Sequence, residues 1–417
     1  MSTAGRLPKR SIHQLRRSPL APYVDAFARY LEEREYASQT TATYVGCLAH
    51  FGRWMDRRQL PLEALDEDQI TAFLDGHLPQ CDCVAPVVRT RADLSAALGH
   101  LLVVLRAEAA IPERIVPTTP VDEELRRYDE RMNHVQGLAP KTRTLYLRTV
   151  RPLLVEHFGD RAINFDAITP ERVRRFVAAQ SELYSTPGSA ATLISALRGY
   201  FRFRATCGDR VHALLGVLPY PANWQLASLP KGLNDAEVQQ LVDSLGWEGP
   251  SARRADAMVR CALDLGLRSG EIATLGLDDI DWHAGTITLR RTKSRREDTL
   301  PLPPTMGRAI VDYLLHERPP SASRAVFVRR IAPCDRPLRA DCVRKSIRQA
   351  YARAGLPYTR AHLLRHTMAS RLLASGSSLK EVADVLRHRS LNTTLIYAKL
   401  DSRNLSAVAL PWPGGAA

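Results

Sequence analysis

The amino-acid sequence predicts a mainly α-helical protein: a helical bundle written twice, followed by a mixed, mostly helical domain around a small antiparallel sheet. Three observations lead there. Long segments carry apolar residues three and four apart, the period of a helix with one buried face. These segments recur in the same order in two stretches of the first half. Beyond residue 230 the helical texture is interrupted by β-branched residues alternating on both sides of a polar turn.

The first stretch reads YVDAFARYLEEREYASQTTATYVGCLAHFGRWM, then DEDQITAFLDGHL, then RADLSAALGHLLVVLRAE. The second reads LRRYDERMNHVQGLAPKTRTLYLRTVRPLLVEHFG, then TPERVRRFVAAQ, then GSAATLISALRGYFRFRATCG. A long helix opens in each on small and polar residues with threonine, YASQTTATY in one and LAPKTRTLY in the other. Tyr44 then matches Tyr146, Phe73 matches Phe176 and Leu98 matches Leu197. Each copy is expected to form a bundle of about four helices. Proline-spaced AAIPERIVPTTPVDEEL separates the copies, and VLPYPANWQLASLPKGL follows the second. The expected layout is a basic flexible arm at 1–18, the first copy at 19–110, a linker at 111–120, the second copy at 121–210, a linker at 211–230 and a last domain at 231–417.

That last domain opens on LNDAEVQQLVDSL, where Asn234 and Glu237 have the spacing of a capping box. GTITLRRTKSRREDTLPLP reads as a β-hairpin. Helices return with ADCVRKSIRQAYARAG and with a helical hairpin from His362, in which Ser378 and Glu381 cap the helix running to Arg387. A short last helix is expected from Asn392.

Composition narrows the function. The chain has 417 residues, a formal net charge of +14 and a pI near 9.7, with arginine supplying most of the surplus. Such a balance points to a polyanionic partner, nucleic acid first, although a GC-rich genome also favours arginine codons. No apolar run is long enough to span a bilayer and no signal core precedes the first helix, so a cytoplasmic protein is expected. The seven cysteines are scattered and read as reduced thiols. HLPQCDC places His77, Cys81 and Cys83 together, but a fourth ligand is missing nearby and CxC is not a usual zinc spacing. The stretch is read as a loop, without a metal.

HLLRHTMASRLLASGSSLKEVADVLRHRSLNTTLIYAKL, residues 362–400, gathers His362, Arg365, His366, His388 and Tyr397 among spaced apolar residues. Breaking a phosphodiester without a metal needs fixed cations for the non-bridging oxygens, a nucleophile in line and an acid for the leaving oxygen. Arginine forks suit the first task. A phenol suits the second, because its phosphodiester can later be attacked by a sugar hydroxyl at little net cost. LGLRSGEIATL sets Arg268 at a glycine-broken junction with Glu271 beginning the next helix, and Leu267, Ile272 and Leu275 around them argue for a packed segment, in which an arginine has an anionic partner. Lys293 stands at the end of the first hairpin strand, where a mobile turn can deliver a proton into a groove. His362 and Arg365 are three apart on one helix face and can serve one anion.

In order, Arg268, Lys293, His362, Arg365, His388 and Tyr397 resemble the signature of the tyrosine recombinase, or phage integrase, family, with Glu271 three residues after the first arginine. The resemblance covers residues 231–400, and the second helical copy resembles the family's SAM-like core-binding domain. The first copy has no counterpart in the minimal family plan. Leu386-Arg387-His388 departs from the usual Leu-Gly-His, which is expected to alter the loop locally and leave the histidine available.

The resemblance implies a site-specific DNA recombinase or integrase, serving a mobile element, that cuts and rejoins strands through a 3′-phosphotyrosyl intermediate. Arg268 and Arg365 would clamp the phosphate, His362 and His388 would support them, Tyr397 would attack and Lys293 would protonate the leaving 5′ oxygen. No cofactor or metal is needed. The implied partners are double-stranded DNA and, on it, a homo-tetramer or a hetero-tetramer with related recombinases, in the cytoplasm at the nucleoid. A type IB topoisomerase uses a similar residue set, and a catalytically silent DNA-binding protein would keep the same fold; both stay open. The first copy is expected to be a second DNA-contacting module, with the acidic helix YLEEREY arguing instead for protein contacts.

Overall fold

Four core-forming groups of apolar residues organise the chain. The computed structural model describes residues 15, 18–84, 87–113, 118–183, 186–220, 222, 230–290, 297–332, 334, 337–388 and 393–400. Residues 114–227 form one compact unit, and the remaining residues group as the other.

The first copy builds α1 (Val24–Glu32), α2 (Ser38–Arg57), α3 (Glu67–Thr71) and α4 (Arg91–Ala107). Asp66 starts α3 by accepting from the amides of Asp68 and Gln69, which satisfies two of the donors a helix start leaves open. The helix then widens into a π turn, Ala72–His77. Phe27, Leu48, Phe51, Phe73, Leu98 and Leu101 close the core between these elements. Leu15 is buried in the same core, so packing begins inside the expected arm; the arm's other residues, except Ser18, lie outside the described residues.

The stretch His77–Cys83, expected to be a loop with no fourth ligand nearby, departs from that reading: His77 ends the π turn and Leu78–Gln80 make a 3-10 turn. His50, on α2, comes from far upstream in sequence to the same point, because helix pairing sets neighbours that local spacing cannot show.

The second copy repeats the plan with α5 (Pro120–His134), α6 (Pro140–Phe158), α7 (Pro170–Glu182) and α8 (Pro187–Thr206). Three of its helices begin behind a threonine whose side chain accepts from the first turn, at Thr119, Thr169 and Thr186. Proline at the first helical position costs nothing there, since that amide has no partner in the helix. Phe176 and Leu197 are buried as Phe73 and Leu98 are, and Tyr44 and Tyr146 each pack against their own core. A further short helix, α9 (His212–Gly216), buries Leu214 with Val211 and Leu218, so the second core runs past residue 210 into the expected linker.

In residues 230–400 the central helix is α11 (Ala252–Asp264), packed against α13 (Pro304–His316), α14 (Ala340–Arg353) and α15 (His362–Ala374). Before it lies α10 (Asp235–Asp243), closed by the expected Asn234–Glu237 capping box, and after it the short α12 (Ser269–Thr274). The sheet is β1 (Ile280–Asp281), β2 (Thr286–Leu289) and β3 (Asp298–Pro301), antiparallel in that order, with Ile287 opposite Ile280 on one side and Leu300 on the other. The expected hairpin is therefore present, with an additional two-residue strand at its edge. α16 (Leu379–Val385) follows the Ser378–Glu381 capping box and ends two residues before the expected Arg387. A 3-10 segment, Leu395–Leu400, closes the described chain; the expected start of the last helix at Asn392 lies outside the described residues. Among the described residues no helix is long and apolar enough to cross a membrane.

Candidate active site

The junction between α11 and α12 is shaped by glycine. Gly266 has φ +60°, and a Cβ there would come within 3.1 Å of Leu386 Cδ2. The turn leaves the Gly266 carbonyl facing α15, where it accepts from Nη1 of Arg365; Nη2 of the same guanidinium donates to the Leu386 carbonyl. Arg365 is thus pinned between two loops, with 5% of its surface exposed. Burial, with Arg268 and Arg387 nearby, pushes its pKa down to about 9, so it stays cationic at neutral pH.

Arg268 caps α12. Its amide donates to Glu271 Oε2 at 2.8 Å and its Nη1 to Glu271 Oε1 at 2.7 Å. Arg387 Nη2 donates to Glu271 Oε2 at 2.7 Å from the other side. Burial works to raise the Glu271 carboxyl, but Arg387 and Arg268 outweigh it and hold the group below its ordinary range. One buried carboxylate therefore orients two arginines.

Tyr397 is fully packed by the hairpin of α15 and α16, against Met368, Ala369, Val382 and Leu386. Its Oη stands 2.6 Å from His366 Nδ1. Burial pushes the phenol pKa up to about 12, with Arg365 pulling the other way. Burial, then His362 and Arg365, lower the His366 pKa, so the ring is neutral and accepts from the Tyr397 hydroxyl when its proton sits on Nε2. His388 Nδ1 is 2.7 Å from the buried Thr394 hydroxyl. Burial pushes the His388 pKa to about 4, helped by Arg365, Arg268, Arg387 and His366.

Five of the seven residues expected from sequence are thereby placed in one electrostatic neighbourhood: Arg268, Glu271, Arg365, His388 and Tyr397. His362, the first residue of α15, is exposed and acts electrostatically on His366. Lys293 lies outside the described residues. Sequence reasoning left out three contributors: His366 as the phenol's partner, Arg387 as the second cation on Glu271, and Thr394 as the anchor of His388. His366 follows Arg365 directly, and adjacent helical residues face different ways, so spacing gives no hint that both serve one site.

Known proteins resemble this chain over most of its length. The phage integrase family model matches residues 231–403, and the model of the phage integrase N-terminal SAM-like domain matches residues 24–79 and 125–206. An integrase/recombinase of Sinorhizobium fredii, y4rA, is 35% identical over 95% of this chain and 96% of its own length. The chain belongs to the phage integrase family of tyrosine recombinases.

The XerC relatives are shorter. The tyrosine recombinase XerC of Stutzerimonas stutzeri is 29% identical and matches over 95% of its length, but over only 69% of this chain. The y4rA match extends over nearly the whole chain, so the long layout is shared within the family. The fold itself is that of XerH site-specific recombinase, solved on palindromic difH in a post-cleavage complex: TM-score 0.52 at 17% identity, over 88% of this chain and 94% of that one. Where the family pattern has glycine, this recombinase has Arg387 at φ +53°, with its side chain 1% exposed. The loop keeps the left-handed turn that glycine would take and adds a guanidinium to the site.

Proposed function

We propose that Tyr397 is the nucleophile of a site-specific strand transfer on double-stranded DNA. The observation that carries this reading is the 2.6 Å contact of its hydroxyl with His366, beside pinned Arg365. Tyr397 Oη attacks a backbone phosphorus, the bond from phosphorus to the 5′ oxygen breaks, and a 3′-phosphotyrosyl link forms. The phenolic proton passes to His366 Nδ1, which compensates for a pKa near 12. Arg365 uses the donors left after its two carbonyl contacts, and with Arg268 holds the non-bridging oxygens. His362 and His388 add hydrogen bonds, and Lys293 protonates the leaving 5′ oxygen. A 5′ hydroxyl of a partner strand then reverses the step on another duplex.

The charge of +14 supports a DNA partner. The expected assembly is a tetramer, of this chain alone or with related recombinases, acting in the cytoplasm at the nucleoid, and the similarity to an integrase/recombinase supports service to a mobile element. The test is incubation with a nicked half-site, from which the cut end diffuses away. The wild type should form a covalent protein–DNA adduct, and Tyr397→Phe should form none while still retarding the DNA. An adduct that persists in that variant assigns the nucleophile to another residue.

A further inference from the structure

The first helical bundle contains a group of side chains that the DNA chemistry does not use. His50, His77, Cys81 and Cys83 bring one ligand atom each to a single point, with all four atoms within 4.8 Å of one another. His50 comes from the middle of α2 and is fully buried. His77 ends the π turn after α3, and Cys81 and Cys83 lie on the strand of loop that follows. We infer that these four residues form a structural zinc site.

Two of the six ligand–ligand distances already suit the metal, and the rest stay within 4.8 Å. Zinc with bonds of about 2.3 Å to sulfur and about 2.0 Å to nitrogen, arranged tetrahedrally, sets its ligand atoms roughly 3.3–3.8 Å apart. Here Cys81 Sγ is 3.3 Å from His50 Nε2, and Cys83 Sγ is 3.5 Å from His77 Nε2. His50 Nδ1 lies 2.8 Å from the Val88 carbonyl, so the ring donates there and turns Nε2 to the metal position, the arrangement a zinc-bound imidazole needs. Phe73 meets both imidazoles, edge-on against His50 and stacked on His77, which fixes their planes. A thiol is a weak hydrogen-bond donor, so pairing alone is a poor reason to gather two thiols and two imidazoles, one of each buried, around one centre. Two thiolates balance one divalent zinc, and four protein ligands leave no open position, so the site is structural and not catalytic.

Two features argue that the set serves the first copy alone. With Tyr44 against Tyr146 and Phe73 against Phe176, His50 falls opposite Pro152 and His77 opposite Gln180. The second copy thus makes the same bundle without these ligands. The π turn is also confined to the first copy among the described helices, and a widened turn re-aims the residue that ends it, here His77. The metal would tie the 78–90 connection to α2 and so fasten α3 and α4 to the rest of the bundle.

The test uses the full chain, purified under reducing conditions without chelators. Elemental analysis should find one zinc per chain. Replacement by cobalt should give thiolate-to-cobalt charge transfer and the intense visible bands of a tetrahedral site. A Cys81→Ser, Cys83→Ser double variant should lose both signals, and chelation of the wild type should speed hydrogen exchange in residues 45–105 but not in 231–290. A wild type with neither zinc nor the cobalt spectrum, a Cys81–Cys83 disulfide in its place, or a double variant that keeps zinc would each overturn the site. The wild-type spectrum decides the matter even where the variant folds poorly, and adduct formation by Tyr397 provides a separate readout of the strand-transfer chemistry.

Discussion

Two protons must move if Tyr397 cuts DNA as proposed, and the described residues account for one. In the proposed step the phenol gives its proton to His366, whose ring burial keeps neutral. The leaving 5′ oxygen needs the second, and Lys293 is the side chain proposed for it. Lys293→Ala should therefore slow adduct formation on ordinary DNA by about 10²–10⁴-fold, the usual contribution of a general acid. The same variant should recover on DNA with a 5′-bridging phosphorothioate, because sulfur leaves without a proton. Failure to recover would pass the role to Arg295 or Arg296, or leave Lys293 as a phosphate contact. At this scale the sequence was most legible where a residue type has one plausible use in an ordered set, as with Arg268, Arg365 and Tyr397. It was least legible where a residue works through another: nothing in the sequence links His366 to Tyr397, or Thr394 to His388, across a chain reversal.

Helix starts and stops decide how the site is held. The caps at Asn234 and Ser378 were readable because a capping box is a local, four-residue pattern. The edge strand at Ile280–Asp281 was not readable, since two residues carry no period, and neither was the π turn, which shares the residue preferences of an ordinary helix. The loop after α16 shows a third case. Arg387 adopts the left-handed conformation that glycine favours, at a cost of about 1 kcal/mol, and its buried guanidinium pairs with Glu271. Its Nε has no hydrogen-bond partner among the described residues, so the gain rests on the pair with Glu271 and on the bond Nη1 donates to the Val385 carbonyl at 3.0 Å. Removing one partner of a buried pair costs about 3–5 kcal/mol. Arg387→Ala should lower the melting temperature of the 231–400 domain by roughly 10 °C, at about 2–4 °C per kcal/mol. Arg387→Gly should fall between the variant and the wild type, because it loses the pair but sheds the strain. If Arg387→Ala melts like the wild type, the pair contributes nothing and the loop owes its shape to packing alone.

Across the whole molecule, charge is unevenly distributed, and that bears on what the additional bundle does. Residues 1–18 carry five Lys and Arg and no Asp or Glu. Residues 19–110 carry 8 Lys and Arg against 13 Asp and Glu, a net of −5, whereas residues 121–210 carry 15 against 11, a net of +4. Glu32, Glu33 and Glu35 are exposed at the end of α1, so part of this negative charge faces solvent. A module of that sign is repelled by a phosphate backbone, while a basic arm is drawn to it. Against the DNA contact first expected of the bundle, this charge pattern favours the competing reading: the arm touches DNA and the first bundle meets protein, a neighbouring recombinase in the synapse above all. Each phosphate contact adds about 0.9 to the slope of log affinity against log salt. Replacing the five Lys and Arg of residues 1–18 by Ala, which leaves buried Leu15 in place, should therefore flatten that slope by up to about 4.5. Deleting residues 1–118 should flatten it no further and leave the DNase footprint unchanged, while synapsis of two sites fails. A footprint that shortens with the deletion but not with the Ala variant would place the first bundle on DNA, and its acidic face would then need another explanation.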